Sequence, residues 1–178
     1  ALYSRARTPI SSALALEGLR RLWSGLEQRL DGEDSADELL VGAYLAGCAI
    51  VNARTALHHA ICHKLAPLAG ASHGEANAAV LPHALEFNLP HCPEEAAQIA
   101  AALGVDTAAG SSPAPAISAR ISGVARRAGL PTRLRELDLD RAQLGELAAR
   151  VFAEPGLAFN PRPIGSADEL RDLLERAW

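Results

Sequence analysis

The chain contains no methionine, one lysine, three cysteines, two tryptophans, two tyrosines and three phenylalanines in 178 residues. Runs of Val, Ile and Thr are equally scarce, so the material from which strands are built is missing. The three cysteines, Cys48, Cys62 and Cys92, form neither an even set nor a CxxC pair, which predicts reduced thiols in a cytoplasmic protein rather than a disulfide framework. A net charge of -4 with arginines and acids interspersed offers no extended basic face, which excludes electrostatic binding to nucleic acid. No apolar run reaches the ~20 residues of a membrane span, and no basic-then-apolar leader opens the chain, so no membrane partner is expected. Neither G-x-G-x-x-G nor a P-loop occurs, so a nucleotide, if one is used, must be held mainly by other protein. The absence of Met together with Ala at position 1 predicts that Ala1 is an internal point of a longer polypeptide.

What is present is an apolar fraction of 49%, supplied mostly by Ala and Leu, in a chain long enough for a sizeable core. The expectation is one all-α unit over residues 1–178, an irregular helical bundle packed through small side chains. Pro9 suits a first helical turn, and Ile10, Leu14, Leu16, Leu19, Leu22, Trp23, Leu26 and Leu30 recur at helical spacing until Asp31-Gly32. Ser35 with Glu38 reads as a capping box ahead of a second, more completely buried helix from Leu39 to Ile50. A third helix is predicted from about Thr55 to Leu65 and a fourth after Gly74 toward Asn88, kinked at Pro82. A fifth opens at Pro93 and ends near Gly104. Residues 107–115 are rich in Gly, Ser and Pro and read as a mobile connection. Helices follow from about Ala116 to Gly129, from Asp140 to Ala153, and after Ser166, with Asn160-Pro161-Arg162-Pro163 extended between the last two.

Chemistry concentrates in three histidines. His59 and His63 are four apart and so project from one helix face a turn apart. His73 follows a break at Gly70 and precedes Gly74, which would let the chain turn back and bring a third imidazole to the pair. Ala60 stands where the metalloprotease pattern H-E-x-x-H needs its general base, which excludes a zincin protease. Two or three neutral imidazoles suit a divalent transition metal, although a stable catalytic site wants a further ligand, often a carboxylate. Glu75 and Glu86 are the nearby acids and read as helix-surface charges. His58 points about a hundred degrees from His59 on a helix, and His83 and His91 read as structural or surface residues.

The run from Leu57 to Asn88 carries HHxxxH, then His73-Gly74 ten residues on, Asn77, and Leu81-Pro82-His83. It resembles the signature of the iron-containing alcohol dehydrogenase superfamily. Leu57-His58-His59, Cys62-His63-Lys64-Leu65 and Asn160-Pro161-Arg162-Pro163 are most similar to its maleylacetate reductase branch, and the opening and closing helices extend the resemblance over nearly the whole chain. The resemblance implies the all-helical C-terminal domain of such enzymes, akin to dehydroquinate synthase-like proteins. The partner N-terminal α/β domain, which binds NAD(P)H, is absent from this chain.

By the same resemblance His59 and His73 match ligands of a divalent iron or zinc ion, whose other two ligands, an Asp and a His, fall upstream of Ala1. His63 matches the histidine that lies near the nicotinamide and moves a proton or positions substrate. His58, Phe159 and Asn160 are implied to line the cleft, and no cofactor-binding residue is identified. Ser72 departs from the family by replacing a Pro. The activity implied is NAD(P)H-dependent reduction of maleylacetate, a small-molecule substrate, to 3-oxoadipate in aromatic-compound degradation, by a full-length homodimer. The chain alone is expected to bind metal weakly and to be inactive. A metal-dependent alcohol dehydrogenase and a non-catalytic helical interaction module are the alternatives.

Overall fold

Helix formation begins where the sequence signals it. Thr8, extended, accepts a hydrogen bond from Ser11 N at its Oγ1 while its own amide donates to Ser11 Oγ, and Pro9 occupies the first turn, where its missing N–H costs nothing. The computed structural model describes residues 1–106 and 110–178. Among these residues are eight α-helices, four short 3-10 turns and no strand: α1 Pro9–Leu30, α2 Ala36–Ala53, α3 Leu57–Leu68, α4 His73–Asn88, α5 Pro93–Ala102, α6 Ala114–Arg127, α7 Leu144–Phe152 and α8 Ala167–Ala177. The expected all-α class is what is found. Of the connection expected over residues 107–115, residues 107–109 lie outside the described residues, and α6 already begins at Ala114.

α1 and α2 form an antiparallel pair whose seam is glycine, not leucine. A Cβ on Gly42 would lie 2.8 Å from the Leu22 backbone nitrogen, and one on Gly18 3.0 Å from that of Ala46. Backbones in such contact leave no room for large side chains, so Ile10 (73% exposed) and Leu26 (40%) of the predicted apolar stripe face outward. The expectation that α2 is the more buried helix fails for the same reason. Only Gly42, Ala49 and Ala53 of α2 are buried, and Leu40, Val41, Tyr44 and Val51 are exposed. α2 is also the one described helix long and apolar enough to cross a membrane by length and composition. The capping box at Ser35 does not form, because Glu38 turns to Arg21 of α1 at 3.2 Å. Ser35 Oγ is left buried without a partner, and the Asp34 carboxylate accepts from Ala36 N instead.

Two groups of buried side chains fill the interior. Leu57, Ile61 and Leu65 of α3 pack with Val80 of α4, Leu144 and Leu147 of α7, and Leu170 and Leu173 of α8. Trp23 of α1 joins Leu85 of α4, Ile99 of α5 and Ile117 of α6 in the second group. α4 contributes to both and so separates them, continuing through Pro82 as one helix. This arrangement holds α3 and the start of α4 side by side, which sets the histidines.

Candidate functional site

Three imidazoles meet at the junction of α3 and α4. His59 and His63 project from consecutive turns of α3 with ring centroids 5.9 Å apart. His73 closes a triangle at 6.2 Å from His59 and 6.1 Å from His63, the last pair stacked at an interplanar angle of 26°. The turn that allows this is Gly70, at φ +58°, a conformation costly for any residue with a Cβ. Gly74, expected to share that role, lies inside α4, which begins at His73 itself. Ser72 Oγ accepts from Glu75 N, and the Glu75 carboxylate accepts from Ser72 N at 2.9 Å. The serine that departs from the family's proline therefore fixes the helix start on which His73 rides. Glu75 is spent on that cap, its carboxyl held below the usual range by Ser72. Glu86 lies elsewhere, with His83 and Arg176.

Burial depth differs along this cluster. His63 and His73 are exposed, His59 is half-buried, and His58 is buried at 8% exposure. Burial, with the neighbouring His59 ring edge-on at 5.2 Å, pushes the His58 pKa down to about 4. Its Nε2 lies 3.4 Å from the Asn77 carbonyl and 3.5 Å from the Cys62 sulfur, two contacts that hold the ring in place. Burial likewise lowers the His59 pKa, aided by His63. Both rings therefore favour the neutral form near pH 7, the form that metal ligation requires.

Two imidazoles on one transition-metal ion, with metal–nitrogen bonds of about 2.0–2.1 Å, place their ring centroids roughly 5–6 Å apart. The spacing of His59 and His73, 6.2 Å, lies just outside that range, so sharing one ion requires the two rings to close slightly. Among the described residues, however, no group of three or more His, Cys, Asp or Glu side chains converges closely enough to hold a metal ion. The donor set thus fits half of a divalent site, without a carboxylate to complete it.

Asn160 is not open to a ligand. It is 1% exposed, and its amide makes four internal hydrogen bonds: Oδ1 accepts from Leu57 N (3.3 Å) and Asn88 Nδ2 (2.9 Å), and Nδ2 donates to Asn88 Oδ1 (2.8 Å) and Arg162 O (2.7 Å). That is the full capacity of the side chain. It ties the first turn of α3 to the end of α4, so it positions the histidines from below. Asn88 is its reciprocal partner, fully buried; the available signal was an amide set among Leu85, Phe87 and Leu89 just before Pro90. Phe159 is half-buried, with its carbonyl accepting from Arg5 N at 2.9 Å. Cys62 and Cys92 have thiol pKa values raised by burial, to about 12 and about 11, and are inert core residues. Beside the cluster an apolar groove of about 240 Å³ runs between α1, α2 and α4, with His58, His59 and Tyr3 on its wall and Ala1 within it.

Residues 1–178 match the profile of the Fe-containing alcohol dehydrogenase family, C-terminal. The chain belongs to the iron-containing alcohol dehydrogenase family. It is 32% identical to a maleylacetate reductase of Burkholderia cepacia over 180 residues, covering 99% of this chain and 48% of that protein. It is 30% identical to a 1,3-propanediol dehydrogenase of Citrobacter freundii, covering 100% and 47%. Among solved structures, a 1,3-propanediol oxidoreductase superposes with a TM-score of 0.90 at 28% identity, covering 99% and 47%. The chain spans about half the length of the curated relatives it matches.

Proposed function

We propose that this chain is the helical C-terminal half of a cytoplasmic NAD(P)H-dependent maleylacetate reductase, yielding 3-oxoadipate, with its cofactor bound mainly by an N-terminal α/β domain. The observation that carries the reading is the triangle of His59, His63 and His73, two of them exposed at one surface. Relatives that bear the maleylacetate reductase name across nearly the full chain support it. Reduction adds a hydride and a proton to the substrate; the reduced nicotinamide, when bound, supplies the hydride. His63, exposed and edge-on to His59, holds the proton at a ring nitrogen and delivers it to the substrate carbon or oxygen that gains electron density. His59 and His73 are the residues that would hold a divalent metal, iron or zinc, whose contribution when bound is to polarise a substrate oxygen. His58 packs edge-on against the His59 ring.

A second reading, a metal-dependent alcohol dehydrogenase, is favoured by one observation. The groove beside His59 is walled mostly by Ala, Leu and Ile, with Tyr3, Thr55, His58 and His59 as its polar side chains and no Arg or Lys, which suits an aliphatic alcohol better than a dicarboxylate. An NADH-oxidation assay with maleylacetate, run beside NAD reduction with 1,3-propanediol on the full polypeptide that carries this chain, separates the two. Faster turnover of maleylacetate is expected; turnover of the diol alone, with stoichiometric metal, would replace the first reading by the second. The chain by itself, with half the ligands, is expected to turn over neither.

A further inference from the structure

The exposed face of α2 has an order that neither the histidine site nor the core explains. Asp37, Leu40, Tyr44, Gly47 and Val51 follow one another at spacings of three and four residues, the alternation of a coiled-coil seam, and Arg54 follows three residues on, just past the helix end at φ +61°. The apolar members are among the most exposed in the protein: Leu40 at 70%, Tyr44 at 71% and Val51 at 79%. No charged residue lies between Glu38 and Arg54. Asp37 at one end and Arg54, just past the other, are both exposed, and among the described residues neither has an ion-pair partner within the chain. Gly47 meets nothing: a Cβ built there has no atom within 4 Å, so no contact within the described chain demands glycine.

We propose that this face pairs with the same face of a second copy of the chain, the two α2 helices running antiparallel about a two-fold axis between Leu45 and Ala46. The argument is the register. About that axis Leu40 comes level with Val51 of the other copy, Tyr44 with Gly47, and Asp37 with Arg54. Each apolar side chain thus meets an apolar one, each charge meets its opposite, and the largest side chain of the stripe meets the one residue without a side chain. A stripe that maps onto itself in size and in charge fits an isologous interface, in which one patch serves both partners. The three–four spacing also favours the shallow crossing angle at which knobs enter holes along a whole helix. The pairing is independent of the proposed reaction, since α2 carries none of the three histidines.

Sedimentation equilibrium on the full polypeptide that carries this chain, under reducing conditions, tests it. A dimer is expected, weakened about a hundredfold by Tyr44→Ala, the kind of aromatic anchor that dominates interfaces. Gly47→Ala is expected to weaken it about tenfold while leaving helicity and thermal stability unchanged or raised, because alanine is the better helix former. Asp37→Arg is expected to weaken it about tenfold by facing two arginines, and Asp37→Arg with Arg54→Asp to restore it. A merely structural role for either residue would not produce that rescue. A monomeric polypeptide, a dimer indifferent to Tyr44→Ala and Gly47→Ala, or a failed rescue would each overturn the proposal. So would loss of monomer stability on Tyr44→Ala without change in association, which would show the face covered by the rest of the polypeptide, or flotation with phosphatidylcholine vesicles, which would show it covered by lipid.

Discussion

Asn160 shows how a single side chain can place a site without touching a ligand. Asn160→Ala strands the Leu57 amide and both ends of the Asn88 amide in a buried setting, and is expected to lower stability by about 2–4 kcal/mol in a urea titration. His58 makes a different kind of contribution. Its folded pKa of about 4 lies below the unfolded value of 6.5, so the unfolded chain takes up the proton first as pH falls. The stabilisation is intact above about pH 6.5 and is lost progressively toward pH 4, at no more than about 1.4 kcal/mol per pH unit. His58→Gln should flatten that part of the curve, and urea midpoints stepped from about pH 7 to about pH 4 measure it. At this scale the sequence revealed the imidazoles by their four-residue spacing. It did not reveal that Asn160 faces inward, because an Asn before a Pro reads the same in a cleft wall as in a buried amide pair.

The helices test how far pattern carries. The bounds of α1 were legible from Pro9 and Asp31-Gly32 and the start of α8 from Ser166; the structure adds that Thr8 and Ser166 each cap by accepting from the amide three residues on. α2 was misread because its apolar content suggested burial, whereas its packing face is the Gly18, Gly25 and Gly42 seam. A hydrophobic pattern reports that a face avoids water; it does not say which partner covers it. Gly42→Ala pushes a methyl to within 2.8 Å of the Leu22 backbone and is expected to destabilise by about 1–3 kcal/mol. Gly123→Ala, where α6 leaves open space, is expected to stabilise by about 0.5–1 kcal/mol. Thermal unfolding of the two variants against the parent protein should show midpoints shifted in opposite directions.

For the molecule as a whole, α4 decides what the chain can do. It divides the two buried groups, and its first residue brings His73 onto the face of α3 that already carries His59 and His63. The all-helical class followed from composition, and the histidine cluster from spacing plus the break at Gly70. An incomplete metal donor set was already expected from the resemblance; the structure adds that Glu75, engaged in capping its own helix, does not complete it. The central claim is that these rings form one wall of a reducing site in which His63 moves a proton. Its most direct test is the kcat of NADH oxidation with maleylacetate by the full polypeptide carrying this chain, parent against His63→Ala. The substituted imidazole is exposed and its removal leaves the core untouched, so a loss of about 10²- to 10⁴-fold in kcat with unchanged thermal stability is predicted. An equally stable variant that turns over at the parent rate would contradict the account.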